Sequence, residues 1–111
     1  MPVQPKTIRN YVTTSGKEPF EDWLQALKDV KTRAIIRTRL NRVRVGNFGD
    51  SKSLGEGIHE LRIHYGPGYR LYIDEWDDTI VILLCGGSKR TQDTDIRRAK
   101  EYWRELRNRH G

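Results

Sequence analysis

The chain has one cysteine, Cys85, so an internal disulfide is excluded, and no Cys/His cluster shows the spacing of metal ligands. No run approaches the roughly 20 apolar residues that span a bilayer, and "MPVQPKTIRN" lacks the apolar stretch of a signal peptide. The expectation is a cytoplasmic protein with no membrane association, no metal and no small-molecule cofactor. Acidic side chains are the scarce charge: 15 against 21 lysines and arginines, a net charge of +6. A polyanion is therefore the first partner to consider. Repeats, low-complexity segments and linkers are lacking too, and 111 residues suit a single domain over 1–111.

Residues 6–13, "KTIRNYVT", mix β-branched and aromatic residues with polar ones and predict an opening strand. In "EPFEDWLQALKD" Phe20, Trp23, Leu24 and Leu27 recur at helical spacing behind a proline, with acidic residues in the first turn. A second helix is predicted over about 30–45, with Ile36, Leu40 and Val43 as its stripe and Gly46-Asn47 at its end. Between Lys31 and Arg44 there are six basic residues and no acidic one, a cationic strip with Arg33, Arg37 and Arg44 as candidate RNA contacts. Strands follow at 57–64 and 69–75, and "TIVILLCGG" (79–87) reads as a central strand buried on both faces. The last helix, 93–108, sets Ile96, Ala99, Trp103 and Leu106 on one side. The order β-α-α-β-β-β-α predicts an α+β domain: a small, mostly antiparallel sheet with one face covered by an N-terminal helical hairpin and a C-terminal helix.

In "GIHELRIHYGPGYRLYI" (57–73), Leu61 and Ile63 share one face with Leu71 and Ile73, while Glu60, Arg62, His64, Arg70, Tyr72 and Asp74 share the other. Keeping the apolar residues together requires paired residue numbers with an even sum, since a slip of one residue inverts a strand. A Gly66-Pro67-Gly68 loop gives a sum of 134, which pairs Ile63 with Leu71, Arg62 with Tyr72 and His64 with Arg70. Polar groups then converge on the face that the helices leave open. Gly86-Gly87 in "CGGSKR" leaves room for close backbone approach and delivers Lys89 and Arg90 at the end of the central strand.

These segments, with "PFEDWLQAL" and "ILLCGGSKRTQDTDIRRAKEYW", together resemble the HigB-type branch of the RelE/ParE toxin superfamily over nearly the whole chain. The pieces that carry the resemblance are Glu60-Leu61-Arg62, Gly68-Tyr69-Arg70 with Tyr72, and Gly86-Gly87 with Lys89, Gln92, Asp95-Ile96 and Ala99. It implies the toxin half of a type II toxin–antitoxin pair: a small basic RNase that cleaves mRNA in the ribosomal A site and is neutralised by a helix-turn-helix antitoxin. The best-characterised relatives end with a Tyr or His near the chain terminus, whereas this chain ends in the helix "DTDIRRAKEYWRELRNRH", which contains Tyr102 and His110.

RNA cleavage without a metal needs a base for the ribose 2′-OH, cations for the charge developing on phosphorus, and an acid for the departing oxygen. Arginine's planar fork suits the cationic role, so Arg62 and Arg70 are the candidates for the scissile phosphate, with Lys89 as a third charge. His64, as a residue type that titrates near neutrality, and Tyr72 are candidates for proton transfer. Tyr69 is a further choice, and a tyrosine can instead stack on a base. Arg90 joins the strip arginines as a candidate RNA contact. Two other functions fit the same sequence: a ParE-like toxin that binds gyrase without cutting RNA, and a non-enzymatic regulator that uses its basic surface on DNA. No helix-turn-helix signature supports the second of these.

Overall fold

The computed structural model of the chain describes residues 5–110. Helix α1 (Pro19–Ala26) starts on a proline, which needs no N–H there, and carries Glu21 and Asp22 at its positive end. It is shorter than the periodicity predicts because Leu27 turns extended, with φ −73° and ψ 117°. Helix α2 (Val30–Arg44) begins after Leu27, Lys28 and Asp29. Asp29 caps it, accepting from the Lys31 N–H at 3.1 Å and the Thr32 hydroxyl at 2.8 Å. Both helices bury their apolar stripes, Phe20 and Leu24 from α1 and Ile36, Leu40 and Val43 from α2, on one face of the sheet.

The sheet has five strands: β1 (Thr7–Asn10), β2 (Ser51–Gly55), β3 (Ile58–Ile63), β4 (Tyr69–Glu75) and β5 (Ile80–Ser88). Their spatial order is β1-β5-β4-β3-β2, and every pair is antiparallel except β1 with β5. The α+β class is thus the one predicted. The sequence reading missed β2, "SKSLG", which lacks β-branched and aromatic residues and forms an exposed edge by pairing with β3.

Helix α3 (Gln92–His110), entered through a 3₁₀ turn at Lys89–Thr91, corrects the predicted layering. It lies on the opposite face from α1 and α2, where Ala99, Trp103 and Leu106 pack with Ile58, Tyr72, Ile82 and Leu84. Helices therefore cover both faces, as the unbroken apolar run of β5 requires. Gly86 and Gly87 serve this sandwich. A Cβ at Gly86 would stand 2.4 Å from the Trp23 ring, and one at Gly87 1.8 Å from the Asp95 carboxylate. The glycine pair makes room for the chain's own side chains on each face.

The hairpin register is also corrected. The turn closes through the Gly68 N–H on the Tyr65 carbonyl at 3.0 Å, and the strands pair Leu61 with Leu71, Glu60 with Tyr72, Arg62 with Arg70 and Ile63 with Tyr69. The sum is even, as expected, but two lower than a turn centred on Pro67 gives. Every residue of the two paired strands keeps its predicted side of the sheet and changes its partner; His64 lies outside the pairing.

Candidate functional site

The register places Arg62 directly across from Arg70, on the side of the sheet that Glu60 and Tyr72 share. Two like charges in that position repel unless something lies between them. Glu60 does. Its side chain is fully buried, with Oε1 at 3.3 Å from Arg62 Nε and 3.7 Å from Arg70 Nε. Its other oxygen accepts from the Tyr72 hydroxyl at 3.1 Å and from Gln92 Nε2, at the start of α3, at 2.9 Å. Burial pushes the Glu60 carboxyl upward, but the bonds from Gln92, Arg62 and Tyr72 and the charge of Arg70 outweigh it, and the group sits below the ordinary carboxylate range. The arginine side chains keep 33% and 13% of their exposure, so the pair opens to solvent while its counter-ion does not.

The predicted face is not wholly open. Tyr72 lies under α3 with no exposed surface, and burial together with the Glu60 charge raises its phenol far above the ordinary value. It braces Glu60 and has no access to a substrate. Tyr72→Phe is expected to cost about 1 kcal/mol of stability, the worth of one buried hydrogen bond, and to leave RNA cleavage far less affected than loss of either arginine. Urea unfolding and a cleavage assay on the same preparation check both halves.

His64 does not stand across from Arg70. It follows the end of β3 and turns to the Asp50 carboxylate at 2.6 Å, with most of its ring exposed. That bond, opposed by burial and joined by the smaller effects of the His64, Arg62 and Arg39 charges, holds the Asp50 carboxyl below its usual range. The pair lines a cleft of about 560 Å³ with Lys31, Arg39 and Arg42. A histidine whose Nε2 is fixed by a carboxylate presents Nδ1 outward, the arrangement of an oriented base.

The remaining candidates divide by location. Lys89 is exposed and its N–H donates to the Gly68 carbonyl at 2.9 Å, which brings the end of β5 to the hairpin turn beside Arg70. Arg90 is exposed on the same 3₁₀ turn. Tyr69 belongs to the α1 face, edge-on to Trp23 with ring centroids 6.2 Å apart, and is not a neighbour of the arginine pair's face. On the α2 strip, Arg37 and Arg44 are exposed, whereas Arg33 is tied to the Leu27 carbonyl and closes the α1–α2 corner. Arg39 is structural: its guanidinium donates to the Phe48, Asp50 and Arg62 carbonyls at 2.6–3.2 Å. The sequence reading did not assign Glu60, Gln92 or Asp50 to the site. The "E-L-R" spacing puts Glu60 and Arg62 on one side of a strand and was legible; the partnership with Gln92 spans 32 residues and was not.

No protein-family model matches the chain. An uncharacterized protein of Haemophilus influenzae (strain ATCC 51907 / DSM 11121 / KW20 / Rd) is 51% identical to it over 87 residues, covering 78% of this chain and 88% of that protein. At that identity and coverage, the chain belongs to the same family as the uncharacterized Haemophilus influenzae protein.

Proposed function

We propose that this chain is the toxin of a type II toxin–antitoxin pair of the RelE/ParE superfamily, HigB-type branch. It acts in the cytoplasm as an endoribonuclease on ribosome-bound mRNA, by attack of a ribose 2′-OH on the adjacent phosphorus, and a helix-turn-helix antitoxin neutralises it. The observation that carries this reading is the cross-strand pair Arg62–Arg70 around the buried Glu60.

The chemistry follows from what these groups can do. Attack by the 2′-oxygen gathers negative charge on the non-bridging phosphate oxygens, and fixed guanidinium groups stabilise that charge more than they stabilise the starting diester. Arg62 and Arg70 supply two such groups, and Lys89, held at the same turn, a third. His64, oriented by Asp50 and two residues along the chain from Arg62, accepts the 2′-OH proton at Nδ1. The bond from phosphorus to the 5′-oxygen breaks as that oxygen takes a proton, leaving a 2′,3′-cyclic phosphate on one fragment and a 5′-hydroxyl on the other. The exposed arginines of α2, Arg37 and Arg44, and Arg90 add attraction for ribosomal RNA that weakens with salt.

Inducing the chain alone in a bacterial cell tests the reading. Growth arrest with new mRNA 5′ ends inside translated reading frames is the expected outcome. Intact transcripts accompanied by cleaved DNA trapped on gyrase would replace it with the gyrase-directed activity of a ParE-like toxin.

A further inference from the structure

The way Glu60 meets the two arginines differs from an ordinary carboxylate–guanidinium pair. Such a pair usually forms fork to fork, two parallel bonds that consume the outer face of the guanidinium. Here the single oxygen Oε1 faces Nε of both residues, the inner nitrogen of each group, at 3.3 and 3.7 Å. Among the described residues, no side-chain hydrogen bond engages the Nη1 or Nη2 atoms of Arg62 or Arg70, and the nearest approach of Glu60 to each is at Nε. Arg62 is held by a hydrogen bond. Arg70 is held by charge alone, since 3.7 Å is beyond hydrogen-bond reach and its buried Nε has no other partner.

The second oxygen explains why the carboxylate can do this. Tyr72 and Gln92 both donate to Oε2, so the carboxylate can neither rotate nor withdraw without stranding a buried donor. Tyr72 belongs to the strand that carries Arg70, and Gln92 is the first residue of α3. One side chain on β3 is thereby fixed from β4 and α3 together, and it fixes two others in turn.

We propose that Glu60 is a positioning residue that holds Arg62 and Arg70 by their inner nitrogens so that both outer forks face one phosphate, with Gln92 locking that aim to α3. The proposal rests on the reading that the arginine pair binds the scissile phosphate. Glu60 itself touches no substrate: it is sealed beneath the groups it orients. It also leaves the three-residue cluster with a net charge of +1, enough to attract a phosphodiester while sparing the folded chain the full repulsion of two adjacent cations.

The test uses the full chain with Glu60→Gln and Gln92→Leu, the second because Glu60→Gln leaves two partly buried cations without a counter-ion and can fail to fold. The first readout needs no RNA: hydrogen exchange at the arginine Nε–H groups, followed by NMR. In the wild type the Arg62 Nε–H should exchange much more slowly than that of exposed Arg37, and either substitution should speed it. The second readout is cleavage on translating ribosomes, where each substitution should lower kcat by about 10- to 100-fold, the scale of an ångström's misplacement, with little change in KM. If Arg62 exchanges as fast as Arg37 in the wild type, Glu60 does not hold it and the proposal fails. Faster exchange in Gln92→Leu with kcat unchanged also defeats it and leaves Glu60 a structural counter-ion. A wild-type chain that cleaves no RNA overturns the functional reading and the positioning role with it; slow exchange at Arg62 then marks that failure as one of function, not of geometry.

Discussion

Arg62→Ala and Arg70→Ala are each expected to lower ribosome-dependent RNA cleavage by about 10²- to 10³-fold, the loss that follows removal of one preorganised donor from a site of developing negative charge. Neither should unfold the chain. Glu60 keeps its bonds from Tyr72 and Gln92 when one arginine goes, and the other arginine remains beside it. The cost in stability is nonetheless more than that of a freely exposed side chain, about 1–2 kcal/mol, because a buried carboxylate loses part of its compensation. Lys89→Ala should give a smaller loss of cleavage and almost none of stability, since the Lys89 side chain is exposed and its anchoring bond is made by the backbone. Arg39→Ala supplies the contrast. Its guanidinium ties three carbonyls, from the loop before β2 and the end of β3, so its loss should show as a lower midpoint of unfolding before it shows as altered chemistry. Thermal unfolding and cleavage measured on the same four variants separate the two effects. Arginine variants at 62 and 70 that cleave as the wild type does would remove the phosphate from this pair.

Asp74→Asn is expected to remove a loss of stability that the wild type suffers as pH rises from about 4 to about 8. Asp74 lies on β4 across from Ile58, without exposed surface, and neither carboxylate oxygen has a hydrogen-bond partner. Burial first, and then the charges of Glu75 and Glu56 against the smaller opposing effect of Arg107, raise its carboxyl from 3.8 to about 8. The sign follows from proton counting. Below pH 4 the folded and unfolded chains both hold the proton and the group costs nothing; between the two values only the folded chain holds it. Stability therefore falls by about 1.4 kcal/mol per pH unit at most across that window, and levels off above pH 8. Asparagine carries no such proton. The variant should gain on the wild type by several kcal/mol between pH 4 and pH 8, read as the difference in urea unfolding free energy at the two ends. A difference that stays constant with pH would mean that Asp74 is ionised in the folded chain.

Periodicity located the helices and four of the strands because their apolar residues repeat at the spacing of the surface they cover. The edge strand β2 was illegible for the opposite reason: "SKSLG" has no face to bury, and it is a strand only because β3 lies beside it. The layering error came from reading one strand at a time. Alternation in β3 and β4 suggested an open face, yet β5 was read as buried on both sides, and the polar-looking face holds Tyr72, Glu60 and Asp74, none with exposed surface. Parity gave the faces of the hairpin correctly because the apolar residues enforce it. The pairing itself depends on where the turn closes, and the Tyr65–Gly68 bond moves that point by one residue from Pro67. The arginine pair was thus half legible: both residues on one side, but with Glu60 between them only once the true register is known.

In the proposed reaction a phosphate is held between Arg62 and Arg70 while a 2′-oxygen attacks it, and the chemistry of the RNA ends records that event most directly. Purified translating ribosomes given the wild-type chain should yield fragments with 2′,3′-cyclic phosphate on one side of the cut and 5′-hydroxyl on the other, and Arg70→Ala should yield almost none. Uncut mRNA, or fragments with 3′-hydroxyl and 5′-phosphate ends, would contradict it.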